Sequence, residues 1–163
     1  AAAVAAAVSI AMNEDATLDA IIAAGLLGAE LGRQRGGAWL GPSVTRRIEM
    51  AVQIARKGTD ARARLRELYD VVGTSLSVPE TVGAAFGVLA MAEGDPQQTA
   101  IYAANLSGDA DTVGAIACAI AGAYRGISAF SPDILDTLNA DPINAGYDLP
   151  TLAVGLEALA RKG

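Results

Sequence analysis

A chain of 163 residues can bury one sizeable hydrophobic core, so we expect one domain or a large part of one. Alanine and glycine are abundant, aromatic residues are scarce and runs of β-branched residues are absent, which favours closely packed helices. No stretch of about 18 strongly apolar residues occurs, so a membrane-spanning helix and a membrane partner are not expected. The net charge of −6 argues against a nucleic-acid partner.

The basic residues are unevenly distributed, because nine of the twelve lie between Arg33 and Arg66. A nucleic-acid surface would also need aromatic or polar readers, and Trp39 is the one aromatic residue close by. We therefore interpret this segment as solvated helical faces. The loop at 35–42, rich in glycine and proline, is interpreted as an interhelical connection, with a flexible wall over a ligand as the alternative.

The single cysteine, Cys118, supports no internal disulfide and fits a cytoplasmic protein. The chain contains no histidine that could activate its thiol. We predict that Cys118 is a small buried packing residue.

Apolar residues recur at helical spacing through every segment, and no alternating, strand-like run occurs. Start signals include Thr17, Ser43 and Asp95, the last followed by a proline at the first helical position. The predicted helices cover about 1–12, 18–33, 44–57, 60–71, 79–93, 96–104, 111–125, 132–138 and 149–159. We expect the helix over 111–125 to lie at the centre and the last helix to pack on the remainder.

The most informative stretch is 105–114, which reads Asn-Leu-Ser-Gly-Asp-Ala-Asp-Thr-Val-Gly. The helix that begins there has small or apolar side chains on every side, which is typical of a fully buried helix. Its first turn nevertheless carries Asp109, Asp111 and Thr112. Acidic residues are favoured at helix N-termini, but a single acid is enough to cap the helix, so the second acid is not explained by capping. The residues alone leave two interpretations open: a doubly capped core helix, or three oxygen ligands for Mg²⁺ or Mn²⁺.

Two other acidic motifs do not fit. An EF-hand loop starting at Asp109 would need its closing glutamate where Ile120 stands. The paired aspartates of haloacid-dehalogenase-type phosphatases follow a hydrophobic strand, whereas Ser107 and Gly108 precede this pair and a helix follows it.

Residues 105–116, with 121–126, resemble the C-terminal signature of the ADP-ribosylglycohydrolase family. The Gly-Gly-Asp-x-Asp-Thr run of that family is matched except that Ser107 stands in place of the first glycine. The resemblance implies an all-α, compact, orthogonal multi-helix fold. It implies further that 1–163 is the C-terminal part of a single domain whose N-terminal part is missing.

The resemblance also assigns roles in the motif. Asp109 and Asp111 become catalytic residues, and together with Thr112 they become metal ligands. The complete enzyme would hold two Mg²⁺ or Mn²⁺ ions, the second acidic cluster coming from the N-terminal half. Ser107 and Gly108 would lie against the substrate, with Gly108 allowing close approach of the backbone.

A second segment, the polar loop over 73–80, matches a family segment near the nucleotide end of the substrate pocket. The resemblance makes Ser77 and Glu80 substrate contacts. An alternative left open is that Ser77 caps the following helix and Glu80 is an ordinary first-turn acid.

The implied function is hydrolysis of the glycosidic bond between ADP-ribose, or a related ribosyl group, and an acceptor. The expected partners are an ADP-ribosylated protein or a small ribosyl substrate, and the missing N-terminal half of the same protein. The alternative is a catalytically inactive relative that binds ADP-ribose or a nucleoside, or that has a structural role.

Overall fold

The computed structural model describes residues 1–37, 40–144 and 147–161, so Trp39 lies outside the described residues. Within these ranges the chain is all-helical, without a β-strand, as predicted. The α-helices are α1 (Ala2–Ala11), α2 (Leu18–Arg35), α3 (Val44–Ala55), α4 (Ala61–Glu67), α5 (Val78–Met91), α6 (Pro96–Ala104), α7 (Ala110–Arg125), α8 (Pro132–Ala140) and α9 (Leu149–Ala160).

Local capping chemistry explains where several helices begin. The side chains of Thr17, Ser43 and Asp95 accept hydrogen bonds from backbone N–H groups three residues further on. Each of these starts was predicted from the sequence. A π-helical segment, Leu68–Val72, extends α4 and was not predicted.

The described chain divides into two compact units, Ala1–Ala129 and Phe130–Gly163. In the first unit, α1 packs on α2 and α7, while α5 packs on α3, α6 and α7. The prediction that residues 1–163 belong to a single domain stays a prediction.

The central helix of the first unit is α5, so the prediction that the helix over 111–125 lies at the centre was wrong. Every residue of α5 from Thr81 to Met91 is buried, whereas the buried residues of α7 lie on one side of the helix. No charged residue occurs in 81–91, and four alanines and glycines in 83–87 let neighbouring helices approach closely. These small residues make α5 the helix that can be surrounded.

Glycines on and beside α5 mark where helices touch. A Cβ at Gly83 would lie 2.8 Å from the Cβ of Arg47 on α3, and one at Gly87 would lie 2.8 Å from a methyl group of Leu68. On α2, a Cβ at Gly25 would overlap the ring of Phe86, which is completely buried. The glycines therefore fix how closely α2 and α3 approach α5.

In the second unit, α9 is exposed at every residue, including Leu152, Leu156 and Leu159. The expectation that α9 packs on the remainder of the chain stays a prediction, because apolar spacing shows which face can be buried but supplies no partner. Across the described ranges no helix is both long and apolar enough to span a membrane.

Two glycine-to-alanine changes, one at a tight contact and one at an ordinary van der Waals distance, should have different effects on stability. We expect Gly25→Ala to lower the free energy of unfolding by about 1–3 kcal/mol, because the added methyl overpacks the Phe86 ring. Gly114→Ala on α7 meets its nearest neighbour at 3.4 Å and should be neutral or stabilising by up to about 1 kcal/mol. Urea unfolding followed by circular dichroism measures both, and equal effects would contradict the packing.

Candidate functional site

Two loops distant in the sequence meet at the start of the acidic motif. The backbone N–H of Asp109, just before α7, donates to the carbonyl oxygen of Thr74 at 2.7 Å. Thr74 lies in the loop between the π-helical segment and α5 and is buried. This hydrogen bond holds the first turn of α7 against the loop at 73–77.

The backbone of the motif is unusual at two consecutive residues. Ser107 has φ +69° and Gly108 has φ +72°, both in the left-handed region. A Cβ at Gly108 would overlap both the hydroxyl and the carbonyl oxygen of Thr74. Glycine is therefore required at 108 by space as well as by conformation, whereas Ser107 adopts a conformation that costs a non-glycine residue about 1 kcal/mol.

The carboxylate of Asp109 does not cap α7, although Asp109 occupies the N-cap position in the described structure. It accepts instead a hydrogen bond of 3.0 Å from the hydroxyl of Thr112, three residues further on. Residues at this spacing lie on one face of a helix. Asp109 is half-buried and Thr112 exposed, so the pair of oxygens faces outward from the protein.

Asp109 and Thr112 line the rim of a cleft of about 680 Å³ between the N-termini of α5 and α7 and one side of α1. Its walls are mainly apolar, formed by Leu76, Val78 and Val82 on one side and Ile116 on the other. A shallower depression beside it is lined by the 74–76 loop, Gly108 and Asp109. Asp109 thus belongs to both concave surfaces.

Asp111 lies elsewhere. It is exposed and lines a groove of about 490 Å³ between α6 and α7, among alanine side chains and Cys118. Asp111 lies within the first turn of α7, whereas Asp109 precedes the helix at its N-cap with a non-helical backbone. Asp109 and Thr112 therefore share a hydrogen bond and a cleft, whereas Asp111 lines a different groove.

The expectation of carboxylates on a helix buried all round was wrong. On α7 the buried residues are Val113, Ala117, Ile120 and Ala121, all on one face, while Asp111, Thr112, Ala115 and Ala119 are exposed. Small apolar residues permit burial on every side, but neighbouring helices cover one face of α7 in the described chain.

The available ligands are of the right chemical type for a hard divalent cation, but there are too few of them. A carboxylate and a hydroxyl, from Asp109 and Thr112, are oxygen ligands of the kind that Mg²⁺ and Mn²⁺ prefer. Among the described residues no group of three acidic, cysteine or histidine side chains is close enough to hold a metal ion. This chain therefore offers an oxygen pair, and further ligands would have to come from Asp111 by rearrangement, from water or from other residues.

The loop at 73–77 is held by the first turn of α5. One oxygen of Glu80 accepts a hydrogen bond of 3.1 Å from the N–H of Ser75. The buried hydroxyl of Thr81 donates to the carbonyl oxygens of Ser75, at 2.8 Å, and Ser77, at 3.2 Å. The loop is thus attached to α5 by both backbone groups of Ser75.

Hydrogen bonds from the side chain and then the backbone of Ser75 lower the pKa of Glu80, and the positive charge of Arg47 assists. Lowering the folded pKa stabilises the fold above the pKa of an unfolded glutamate. This contribution is lost as the pH falls through the folded pKa. Glu80 is therefore already engaged as an anion within the protein.

Ser77 stands at the N-cap position of α5, but its side chain makes no capping hydrogen bond in the described structure. Its N–H donates to the hydroxyl of Ser75 at 3.2 Å. The alternative of plain capping by Ser77 is therefore not observed. Ser77 is half-buried beside Leu76 and Val78, which line the cleft.

Two residues that hold this site together were not predicted from the sequence. Thr74 receives the Asp109 N–H, and nothing local pairs it with a residue 35 positions away. Arg47 of α3 donates to the carbonyl oxygens of Val71 and Val72, at 2.6 and 2.7 Å, and so holds the end of the π-helical segment before Gly73. Gly73, with φ +83°, was the one available signal that the chain turns sharply there.

Cys118 was predicted to be buried, but its thiol is half-buried on α7, in the groove that Asp111 also lines. Burial raises the pKa of this thiol above its ordinary value. A thiol that stays protonated is a poor nucleophile, which agrees with a packing role.

Comparison with known proteins extends the sequence resemblance to nearly the entire chain. The sequence model described as ADP-ribosylglycohydrolase matches residues 1–162. A protein of Escherichia coli strain K12, described as uncharacterized protein YegU, is 39% identical over 98 residues, which cover 60% of this chain and 29% of that protein. The matched stretch is thus less than a third of that relative. No solved structure matches significantly. The chain belongs to the ADP-ribosylglycohydrolase family.

Proposed function

We propose that the protein carrying this chain is a metal-dependent glycohydrolase that cleaves the bond between the anomeric carbon of an ADP-ribosyl or related ribosyl group and a nitrogen or oxygen of its acceptor. One observation carries the proposal: the carboxylate of Asp109 is not used as a helix cap and faces a cleft together with the Thr112 hydroxyl. Membership of a glycohydrolase family supports hydrolysis as the general reaction class.

Asp109 and Thr112 are the residues that would hold a divalent cation, with Asp111 as a further ligand of the complete site. Bound there, Mg²⁺ or Mn²⁺ would supply charge that orients ribose hydroxyls and favours ionisation of a water molecule. We place two such ions in the complete enzyme, as the family resemblance implies. The chain's own contribution is a carboxylate whose position is fixed by the hydrogen bond between Asp109 N–H and Thr74.

The apolar walls of the cleft give the substrate its second contact. Leu76, Val78 and Ile116 present side chains on which the flat face of a nucleoside can lie, and they exclude water from that side. Gly108 lets the main chain of the motif approach the substrate, and we place the preceding residue, Ser107, as a substrate contact as well. We place Ser77 at the edge of the same cleft, as a substrate contact.

The reaction is a hydrolysis, in which water adds to the anomeric carbon, the acceptor leaves with a proton, and free ADP-ribose or ribose forms. The acceptor class is tested with ADP-ribosyl-arginine, ADP-ribosyl-serine, O-acetyl-ADP-ribose and a simpler nucleoside glycoside. Each is incubated with the complete protein and Mn²⁺ or Mg²⁺. Release of the ribosyl product supports the proposal, whereas tight binding without release would identify an inactive binding relative.

Changing the motif carboxylates gives the sharpest test of the metal role. We expect Asp109→Asn to lower kcat/KM of the complete protein more than about 100-fold, because the amide keeps the side-chain shape but loses the charge that holds a cation. Asp111→Asn should have a similar effect if both aspartates serve one site.

Asp133→Asn is the matched control, because Asp133 is also a first-turn acid of a helix. It should leave kcat/KM unchanged. Metal affinity measured calorimetrically with Mn²⁺ must fall together with activity. Full activity of metal-saturated Asp109→Asn would rule out the ligand role.

The backbone of the motif predicts opposite changes at neighbouring residues. Gly108→Ala should destabilise the protein by about 1–3 kcal/mol, because its methyl overlaps Thr74 and its φ is positive. Ser107→Gly should stabilise it by up to about 1 kcal/mol by removing left-handed strain. Thermal unfolding of the two variants checks the signs, and a destabilised Ser107→Gly would contradict the strain at that residue.

Cys118→Ser tests whether the thiol takes part in the chemistry. We expect activity within about twofold of wild type, because a thiol with a raised pKa is not a nucleophile. Activity and thermal stability are measured together. A variant of normal stability that has lost catalysis would show that Cys118 acts in the reaction.

A further inference from the structure

We propose that Glu80 is a positioning residue, which holds Asp109 in place through the loop at 73–77 without contacting the substrate. The proposal rests on the metal-ligand role proposed for Asp109. It replaces the earlier expectation that Glu80 touches the nucleotide end of the substrate.

The first step is the contact between Glu80 and the loop. The carboxylate of Glu80 receives the N–H of Ser75 and lies directly over Gly73, so closely that a side chain at 73 would overlap it. Gly73 has φ +83°, which lets the chain turn around the carboxylate. Glu80 therefore fixes both the conformation and the distance of the loop from α5.

The second step is the contact that Thr81 adds beside it. Its hydroxyl donates to the carbonyl of Ser75, while Glu80 accepts from the N–H of the same residue. Consecutive residues of one rigid helix thus hold both backbone groups of Ser75. Because α5 is buried from Thr81 onward, these groups have a fixed support.

The third step connects the loop with the motif. Thr74, adjacent to Ser75, accepts the N–H of Asp109 at 2.7 Å, and its side chain packs against Gly108. A shift of Ser75 therefore moves the acceptor that fixes Asp109. Glu80 acts on the motif through three consecutive main-chain positions, with no direct contact to the carboxylate of Asp109.

The test measures the Asp109 amide directly, in the complete protein without metal or substrate. Hydrogen exchange followed by mass spectrometry on a peptide covering 107–113 reports the bond to Thr74. We expect Glu80→Ala to speed exchange at Asp109 about tenfold, since the hydrogen bond from the Ser75 N–H to a charged carboxylate, which holds the loop, is lost. Exchange of the buried amides at Ala117 and Ala121 should not change.

Three further variants separate positioning from general damage. Glu80→Gln keeps an oxygen acceptor and should exchange within about twofold of wild type. Thr81→Val keeps the shape, removes the second contact and should speed Asp109 exchange even if Glu80→Ala does not fold. Glu49→Ala removes a half-buried glutamate that pairs with the exposed Arg46 on α3, and it should behave as wild type.

Calorimetric titration with Mn²⁺ and steady-state kinetics complete the test. We expect Glu80→Ala to weaken Mn²⁺ binding by roughly 10-fold, at the lower end of the range seen when groups that orient metal ligands are removed. Unchanged Asp109 exchange in both Glu80→Ala and Thr81→Val would overturn the proposal, as would a raised KM with unchanged exchange, which is the sign of a substrate contact. Faster exchange in a protein whose wild type binds no Mn²⁺ would support the positioning and overturn the metal role.

Discussion

The hydrogen bond from Asp109 N–H to the carbonyl of Thr74 determines how the candidate site is assembled. It joins two loops that lie 35 residues apart, and it acts at the residue where α7 begins. The contact is possible because Gly108 has no side chain to separate the loops. Ser107 adopts the same left-handed backbone so that the chain can turn into α7 at this point. The backbone conformation of the motif therefore determines where its carboxylates lie.

The second requirement is a rigid support for the Thr74 loop, and α5 supplies it. Its small residues let α3 approach closely, and Arg47 of α3 holds the end of the π-helical segment before Gly73. The loop then passes over Glu80 and Thr81, which hold Ser75 from the first turn of α5. The packed centre of the first unit and the acidic motif are therefore connected by short polar contacts. A change in the packing of α3 on α5 would therefore shift the position of Asp109 through these contacts.

Sequence patterns were sufficient for the helices, because capping residues and apolar spacing act locally. They were not sufficient to predict which helix faces are buried. Helices α5 and α7 both consist mainly of small and apolar residues, and only tertiary packing shows that α5 is surrounded while α7 is covered on one side. Of the site, the residue types and the motif were predictable, whereas the partnership of Thr74 with Asp109 depends on a contact between distant segments.

The motif residues line two different concave surfaces. Asp109, at the N-cap, and Thr112 share a hydrogen bond and a cleft, whereas Asp111, in the first turn of α7, lines another groove. Two carboxylates at this spacing can serve a common site only from the end of the helix, where Ser107 and Gly108 turn the chain. The side of α7 cannot bring them together. A site shared by both aspartates therefore depends on the conformation of that turn, and the turn depends on the Thr74 loop. On this argument the contacts of Glu80 and Thr81 matter most for the spacing between the two carboxylates, and less for the stability of α7 itself.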